Sequence, residues 1–522
     1  MKLFVQLVLV FVCLCGGIAH ANNTTTTTTL YVNPSSTLNS TNCGFTVATA
    51  CPTMFDAIVV FNNTVILNLN TTNMSTYPPL VLQLFSGDYF NKTSPSVNQT
   101  LPLTGYNITI EPYPGQQVTL DGSNKKTLFL DISGEGTVTN TNININNLEF
   151  ELWGDLIFFN QDVNQCNISF VNCLITRSEG QNPVILFISS SPYTSLSLIN
   201  TNYTDSLSPF VSVTQTSLTI TGCVLTENTP YGSLITATSS SVVISNSVFS
   251  NNTVTDAVVY SNSGTVGISQ CNFESNSGNP LNLQSTTATI DSTIFNSNQD
   301  SNYGVVSSSG SLVVTNSRFM NNQAQYGAGI YSTYSSLTIR SCIFSDNNGV
   351  YGNAIYASNY NGFTLEDSQL SQTATQGQYS SQDDLIYLYN IYSGVITNNS
   401  ITVGYYGVPY SYAAISCSSS SIVYQGASVS TAGHPTMKCY QCSFSNVDSY
   451  SPVKCPSSDS SSNKDSSQSS GDNYNPARNV AYKVILSFLI LACILLFIGI
   501  LVIVSCHMKQ RHISSDGYAI IT

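Results

Sequence analysis

Acid–base chemistry needs paired, well-placed side chains, and this chain of 522 residues offers few. Asp383 and Asp384 adjoin in the segment Gln382-Asp383-Asp384. Two carboxylates are the minimum for cleaving a glycosidic bond, one as acid and one as base or nucleophile, so these two are the candidate catalytic residues. His434, in Ala432-Gly433-His434-Pro435, reads as a loop residue with no carboxylate beside it. Arg177, Arg318 and Arg340 are scattered, and no acidic column recurs that could hold Ca²⁺. Cys439 and Cys442 have half the spacing of a zinc site, but tetrahedral zinc needs two further ligands, so no metal or cofactor is expected.

The ends of the chain indicate where such chemistry would take place. Lys2, an apolar run over 3–18 and Ala19-His20-Ala21 follow the order of a cleavable signal peptide, which predicts loss of residues 1–21. Residues 484–504 are apolar and uncharged, long enough at about 1.5 Å per residue to cross a bilayer core of roughly 30 Å. Together they predict a single-pass type I plasma-membrane protein, with 22–483 outside and 505–522 in the cytosol. Tyr518-Ala519-Ile520-Ile521 has the Y-x-x-Φ form of a tyrosine-based sorting signal. Tyr518 and Ile521 would occupy separate apolar pockets of a clathrin adaptor and send the protein through endosomes.

The expected ectodomain carries 11 Lys and Arg against 26 Asp and Glu, which argues against nucleic acid as a partner. Charged residues are only 8% of the chain, so solubility must come from hydroxyls, amides and glycans. Sequons begin at Asn22, Asn23, Asn39, Asn62, Asn70, Asn73, Asn91, Asn98, Asn107, Asn167, Asn202, Asn251 and Asn398, and these are the candidate glycosylation sites.

A repeat dominates the centre. Segments starting at Leu218, Val242, Val266, Ala288, Leu312 and Leu337 align with steps of 24, 24, 22, 24 and 25 residues. Three columns emerge. Cys223, Ser247, Cys271, Thr293, Ser317 and Cys342 are small; Leu225, Phe249, Phe273, Phe295, Phe319 and Phe344 are apolar; Asn228, Asn252, Asn276, Asn298, Asn322 and Asn347 are all Asn. Apolar residues alternate within each unit, which predicts short strands. Like residues recurring at this period predict a parallel β-solenoid whose coils lie about 4.8 Å apart, with Phe filling the interior and Asn side chains satisfying one another at a bend. Weaker copies start at Ile168, Leu196, Phe363 and Val395. The expected layout is a cap and first turns over 22–100, repeats over 101–445, a Ser- and Asn-rich stalk over 446–483 and the transmembrane helix beyond.

The columns also sort the cysteines. Cys173, Cys223, Cys271 and Cys342 share a column with Ser and Thr, and Cys223 and Cys271 stand two coils apart, roughly 9.6 Å. That exceeds the reach of a disulfide, so these four are expected as buried thiols. Cys43, Cys51, Cys417, Cys439, Cys442 and Cys455 are the disulfide candidates.

These features resemble the right-handed β-helix proteins of the pectin-lyase-like class. The segments FSNN, FESN, FNSN, FMNN and FSDN are similar to the FxxN repeat of chlamydial polymorphic outer-membrane proteins. Their companion GGA-I motif has degenerate counterparts in YGAGIY from Tyr326 and YGNAIY from Tyr351. The resemblance implies an all-β solenoid. For polygalacturonases it would also imply NTD, paired-Asp, GHG and RIK segments, of which only Gln382-Asp383-Asp384 has a counterpart. Two function classes remain: a surface protein that binds or adheres to an extracellular glycan or protein, which is expected, and a membrane-tethered polysaccharide lyase or hydrolase.

Overall fold

The computed structural model describes residues 27–38, 43–68, 77–89, 101–122, 129–131, 140–153, 156–160, 165–189, 193–300, 302–334, 336–360, 362–373, 384–404, 413–431 and 437–446. The expected signal peptide, transmembrane run and tail lie outside these residues, as does all but the start of the expected stalk. Among the described residues no helix is long and apolar enough to cross a membrane.

Three parallel sheets of 16, 13 and 14 strands are built by a chain that visits each in turn. One coil illustrates the pattern: Thr265–Ser269 joins the 16-stranded sheet, Asn272–Glu274 the 13-stranded sheet and Ser277–Gln284 the 14-stranded sheet, before Thr287–Asp291 restarts the cycle. The six aligned segment starts are neighbours in space, because Leu218, Val242, Val266, Ala288, Leu312 and Leu337 pair in one unbroken register. Alternation decides which face is inside. Ala288 and Ile290 are buried while Thr287 and Thr289 are exposed, as strand geometry requires of a chain with one covered face.

At the N-terminal end an α-helix, Met54–Thr64, starts at Thr53, whose hydroxyl accepts the Asp56 N–H at 3.0 Å. It buries Met54, Ala57, Ile58, Val60 and Phe61 in the same core as Leu30 and Leu82 of the first coils. A disulfide between Cys43 and Cys51 closes the loop beside it.

Both corners flanking the 13-stranded sheet use one residue in the left-handed region. Gln270, Ser292 and Asn316 take φ of 50–55° at one corner, and Ser275, Ser297 and Asn321 take 54–57° at the other. Each is followed by a column residue that repairs the broken ladder of backbone hydrogen bonds. At the second corner the Nδ2 of each Asn from Asn228 to Asn322 donates to the Oδ1 of the Asn one coil on, at 2.9–3.1 Å. It also donates to a carbonyl one coil back, at 2.8–2.9 Å. Asn228 begins the ladder, with its Oδ1 unsatisfied.

At the first corner, hydroxyl and thiol serve alike. Ser247, Thr293 and Ser317 donate to the carbonyl two residues earlier at 2.7–2.9 Å, and Cys271 and Cys342 do so through Sγ at 3.2 Å. Cys173, Cys223, Cys271 and Cys342 are free, buried thiols, and Cys166, on the strand Gln165–Val171, is a fifth. Burial pushes the Cys271 thiol up to about 11. Between the corners the rings of Phe249, Phe273, Phe295, Phe319 and Phe344 stack with centroids 4.6–5.0 Å apart and planes within 8°.

Phe295→Ala should cost about 3–5 kcal/mol through lost burial and a cavity between two rings, read as a lower denaturation midpoint. Cys271 should resist thiol reagents in the native protein and react only on unfolding, whereas labelling at the rate of a free thiol would contradict the buried ladder.

Candidate functional site

The outward column of the 14-stranded sheet carries a run of tyrosines and small polar residues. In register it reads Tyr260, Asn282, Ser307, Tyr331, Tyr356, Tyr387 and Ser416. Beside it Tyr303, Tyr326 and Tyr351 bridge from coil to coil. Parallel register places like residues on top of one another, so the rings stack: Tyr331 on Tyr356 at 5.2 Å, Tyr356 on Tyr387 at 5.2 Å and Tyr326 on Tyr351 at 5.1 Å. Tyr303 meets Tyr331 at 4.6 Å and knits the columns together. Burial, reinforced by neighbouring tyrosines, pushes the Tyr356 phenol up to about 12 and raises that of Tyr331, and burial with the nearby Asp384 charge raises that of Tyr387, so these hydroxyls stay neutral donors.

Stacked rings show their edges to solvent and hide their faces from it. Among the described residues the stack ends at Tyr303, whose side is 45% exposed. There the column turns small, with Asn282 and Ser307 in place of rings, and the strand Thr253–Asn262 slips register between Thr253 and Ala257. The bulge and the missing rings open a groove of about 470 Å³, which Tyr303 walls. Gly278 on its floor has φ +97°, and a Cβ there would come within 2.5 Å of the Val254 carbonyl, so only glycine fits.

Polar groups line the rest. Asp256 accepts from the Ser233 hydroxyl at 2.7 Å and from Asn282 Nδ2 at 3.5 Å. Asp300 accepts the Asn302 N–H at 2.8 Å. Asn279 is 4% exposed; its Oδ1 accepts the Leu281 N–H at 2.9 Å, while its Nδ2 has no hydrogen-bond partner among the described residues. The groove therefore offers two oriented acceptors, an amide donor and one aromatic wall.

The residues singled out in the sequence lie elsewhere. Asp384 is 4% exposed, does not line the groove, and accepts from the Ala413 N–H and from Lys438 Nζ, both at 2.9 Å. Burial raises its pKa, opposed by Lys438, so this carboxylate ties late coils together as half of an ion pair. Asp383, His434 and Cys455 lie outside the described residues. Cys442 is bonded to Cys417 and Cys439 is also in a disulfide, so neither thiolate of that C-x-x-C is available to a metal.

Of the sequons, Asn251 and Asn398 are exposed at left-handed turn positions, with φ of 53° and 54°. Asn107 is half-buried on a strand. Asn62, Asn167 and Asn202 hold hydrogen bonds with Tyr106, with Asn142 and Ser195, and with the Val224 N–H. Asn22, Asn23, Asn39, Asn70, Asn73, Asn91 and Asn98 lie outside the described residues.

Residues 185–336 match the family model described as "Right handed beta helix region". No curated protein shows a significant sequence match. Among solved structures, tailspike protein 3 of bacteriophage CBA120 is 13% identical over 79% of this chain and 61% of its own length, with a TM-score of 0.31. The A-module of a mannuronan C-5 epimerase from Azotobacter vinelandii is 9% identical over 59% of this chain and 91% of its own, with a TM-score of 0.32. PfbA, a surface adhesin of Streptococcus pneumoniae, is 10% identical over 75% of this chain and 88% of its own, with a TM-score of 0.27. Likenesses this distant carry no argument about activity. The matched region and the three in-register parallel sheets that continue on both sides of it make this chain a right-handed parallel β-helix protein.

Proposed function

We propose that the chain is a single-pass type I cell-surface glycoprotein whose β-helix binds an extracellular glycan in the groove beside Tyr303. One observation carries the binding site: an exposed ring at the end of an aromatic stack walls a groove lined by oriented carboxylates and amides. Sugars present an apolar C–H face and a rim of hydroxyls, and they are held by such a ring together with planar polar side chains. The signal peptide, the apolar run at 484–504 and the sequons support the location. Tyr518 and Ile521 then act as an adaptor-read signal that retrieves the loaded protein into endosomes.

A second reading rests on Asp256 and Asp300. Both line the one groove, Asp256 from the strand Thr253–Asn262 and Asp300 from a later coil, and an acid and a base beside the same ligand are what glycoside hydrolysis needs. New reducing ends released from a bound glycan, and lost in Asp256→Asn, would favour hydrolysis.

Cells displaying the full chain should capture glycans from an array, and Tyr303→Ala should weaken capture at least about tenfold while the lost ring contact with Tyr331 costs no more than about 1.5 kcal/mol of stability. Equal capture by the variant would overturn the site. On the same cells Tyr518→Ala should enlarge the surface pool and slow uptake, and equal pools would remove the sorting role.

A further inference from the structure

The groove also states which glycans it accepts. Its ionisable groups of fixed sign are Asp256 and Asp300, and both are carboxylates. The described cations are all elsewhere: Arg177 pairs with Glu151, Arg340 with Glu366 and Lys438 with Asp384, and Arg318 lies on the 13-stranded sheet. An anionic sugar entering the groove would therefore meet two like charges and, among the described residues, no cation, whereas hydroxyl hydrogens would meet two acceptors already oriented by Ser233 and by the Asn302 N–H. Asn279 adds a donor that any oxygen acceptor can use, so the discrimination rests on the two carboxylates. Asn279 Nδ2 is held in a nearly buried side chain whose Oδ1 is committed to the Leu281 N–H, so it can only give a hydrogen bond to an incoming oxygen.

Building on the glycan-binding reading, we infer that this groove selects uncharged sugars and rejects uronic acids and sulfated sugars. Hydroxyls donate to Asp256 and Asp300, a hydroxyl or acetamido oxygen accepts from Asn279, and the C–H face of the ring packs on Tyr303. The selection is by repulsion as much as by attraction: the carboxylates that welcome a hydroxyl are the same ones that exclude a carboxylate.

The test uses the full chain in nanodiscs. The probes are hexaoses of glucose, galactose, mannose and N-acetylglucosamine, against hexaoses of galacturonate and mannuronate. At least one neutral probe should bind, and the acidic probes should bind at least about tenfold more weakly. The double variant Asp256→Asn, Asp300→Asn should bring the two classes to within about threefold, since it removes the repulsion and keeps the side-chain shape. Asn279→Asp, which keeps the acceptor and replaces the donor with a third carboxylate, should weaken the neutral probe about tenfold, with circular dichroism confirming that the fold is retained. Acidic probes binding as tightly as neutral ones would overturn this inference and leave glycan binding standing. Binding of neither class would overturn glycan binding itself.

Discussion

A strand in this protein cannot complete its own hydrogen bonds. Its N–H and C=O groups are met only by the coils before and after it, so every coil depends on its neighbours standing in register. The rest of the architecture follows from that dependence. Once register is fixed, whatever occupies a position on one coil faces its counterpart about 4.8 Å away, and side chains are chosen for how they meet their own kind. Phe stacks on Phe, Asn bonds to Asn, and hydroxyl or thiol serves the same carbonyl at a corner.

This is why so much of the fold was legible in the sequence. The F-x-x-N spacing is the distance from an inward ring to the amide that repairs the next corner, as in Phe273 and Asn276. A period that stacks produces visible columns, and the columns of Phe, Asn and Cys reappear unshifted in space. The groove was not legible because it exists where the pattern fails. It opens at a register slip after Thr253, in coils whose outward residues are Asn282 and Ser307. Asp256, Asn279 and Asp300 have no counterparts to align, so periodicity does not mark them. The ring columns did leave a trace. YGAGIY and YGNAIY, two similar segments 25 residues apart, hold Tyr326, Tyr331, Tyr351 and Tyr356, four of the six stacked rings. For Asp384 the sequence shows an adjacent pair of carboxylates, whereas its burial opposite Lys438 is a tertiary fact that no string of letters carries.

The groove-bearing face illustrates a division of labour. Repetition builds a stiff scaffold, and interruption builds the site. The tyrosine stack belongs to both, since its order comes from register while its exposed end at Tyr303 exists because the next coil lacks a ring. A rigid wall beside a glycine-floored hollow loses little side-chain freedom on contact with a ligand, which favours binding by pre-organisation.

The alternation of thiol and hydroxyl at the first corner bears on how such a chain can lengthen. Cys173, Cys223 and Cys271 are separated by Thr201 and Ser247, one coil each, and Cys342 stands beyond Thr293 and Ser317. Copying one cysteine-bearing coil in tandem would set two thiols about 4.8 Å apart, well inside disulfide range, and invite a cross-link where the core needs a slim, unbonded group. Copying a coil together with its hydroxyl neighbour keeps the sulfurs insulated. For the cysteine-bearing stretch, growth by gene duplication is therefore safe in steps of two coils and hazardous in steps of one.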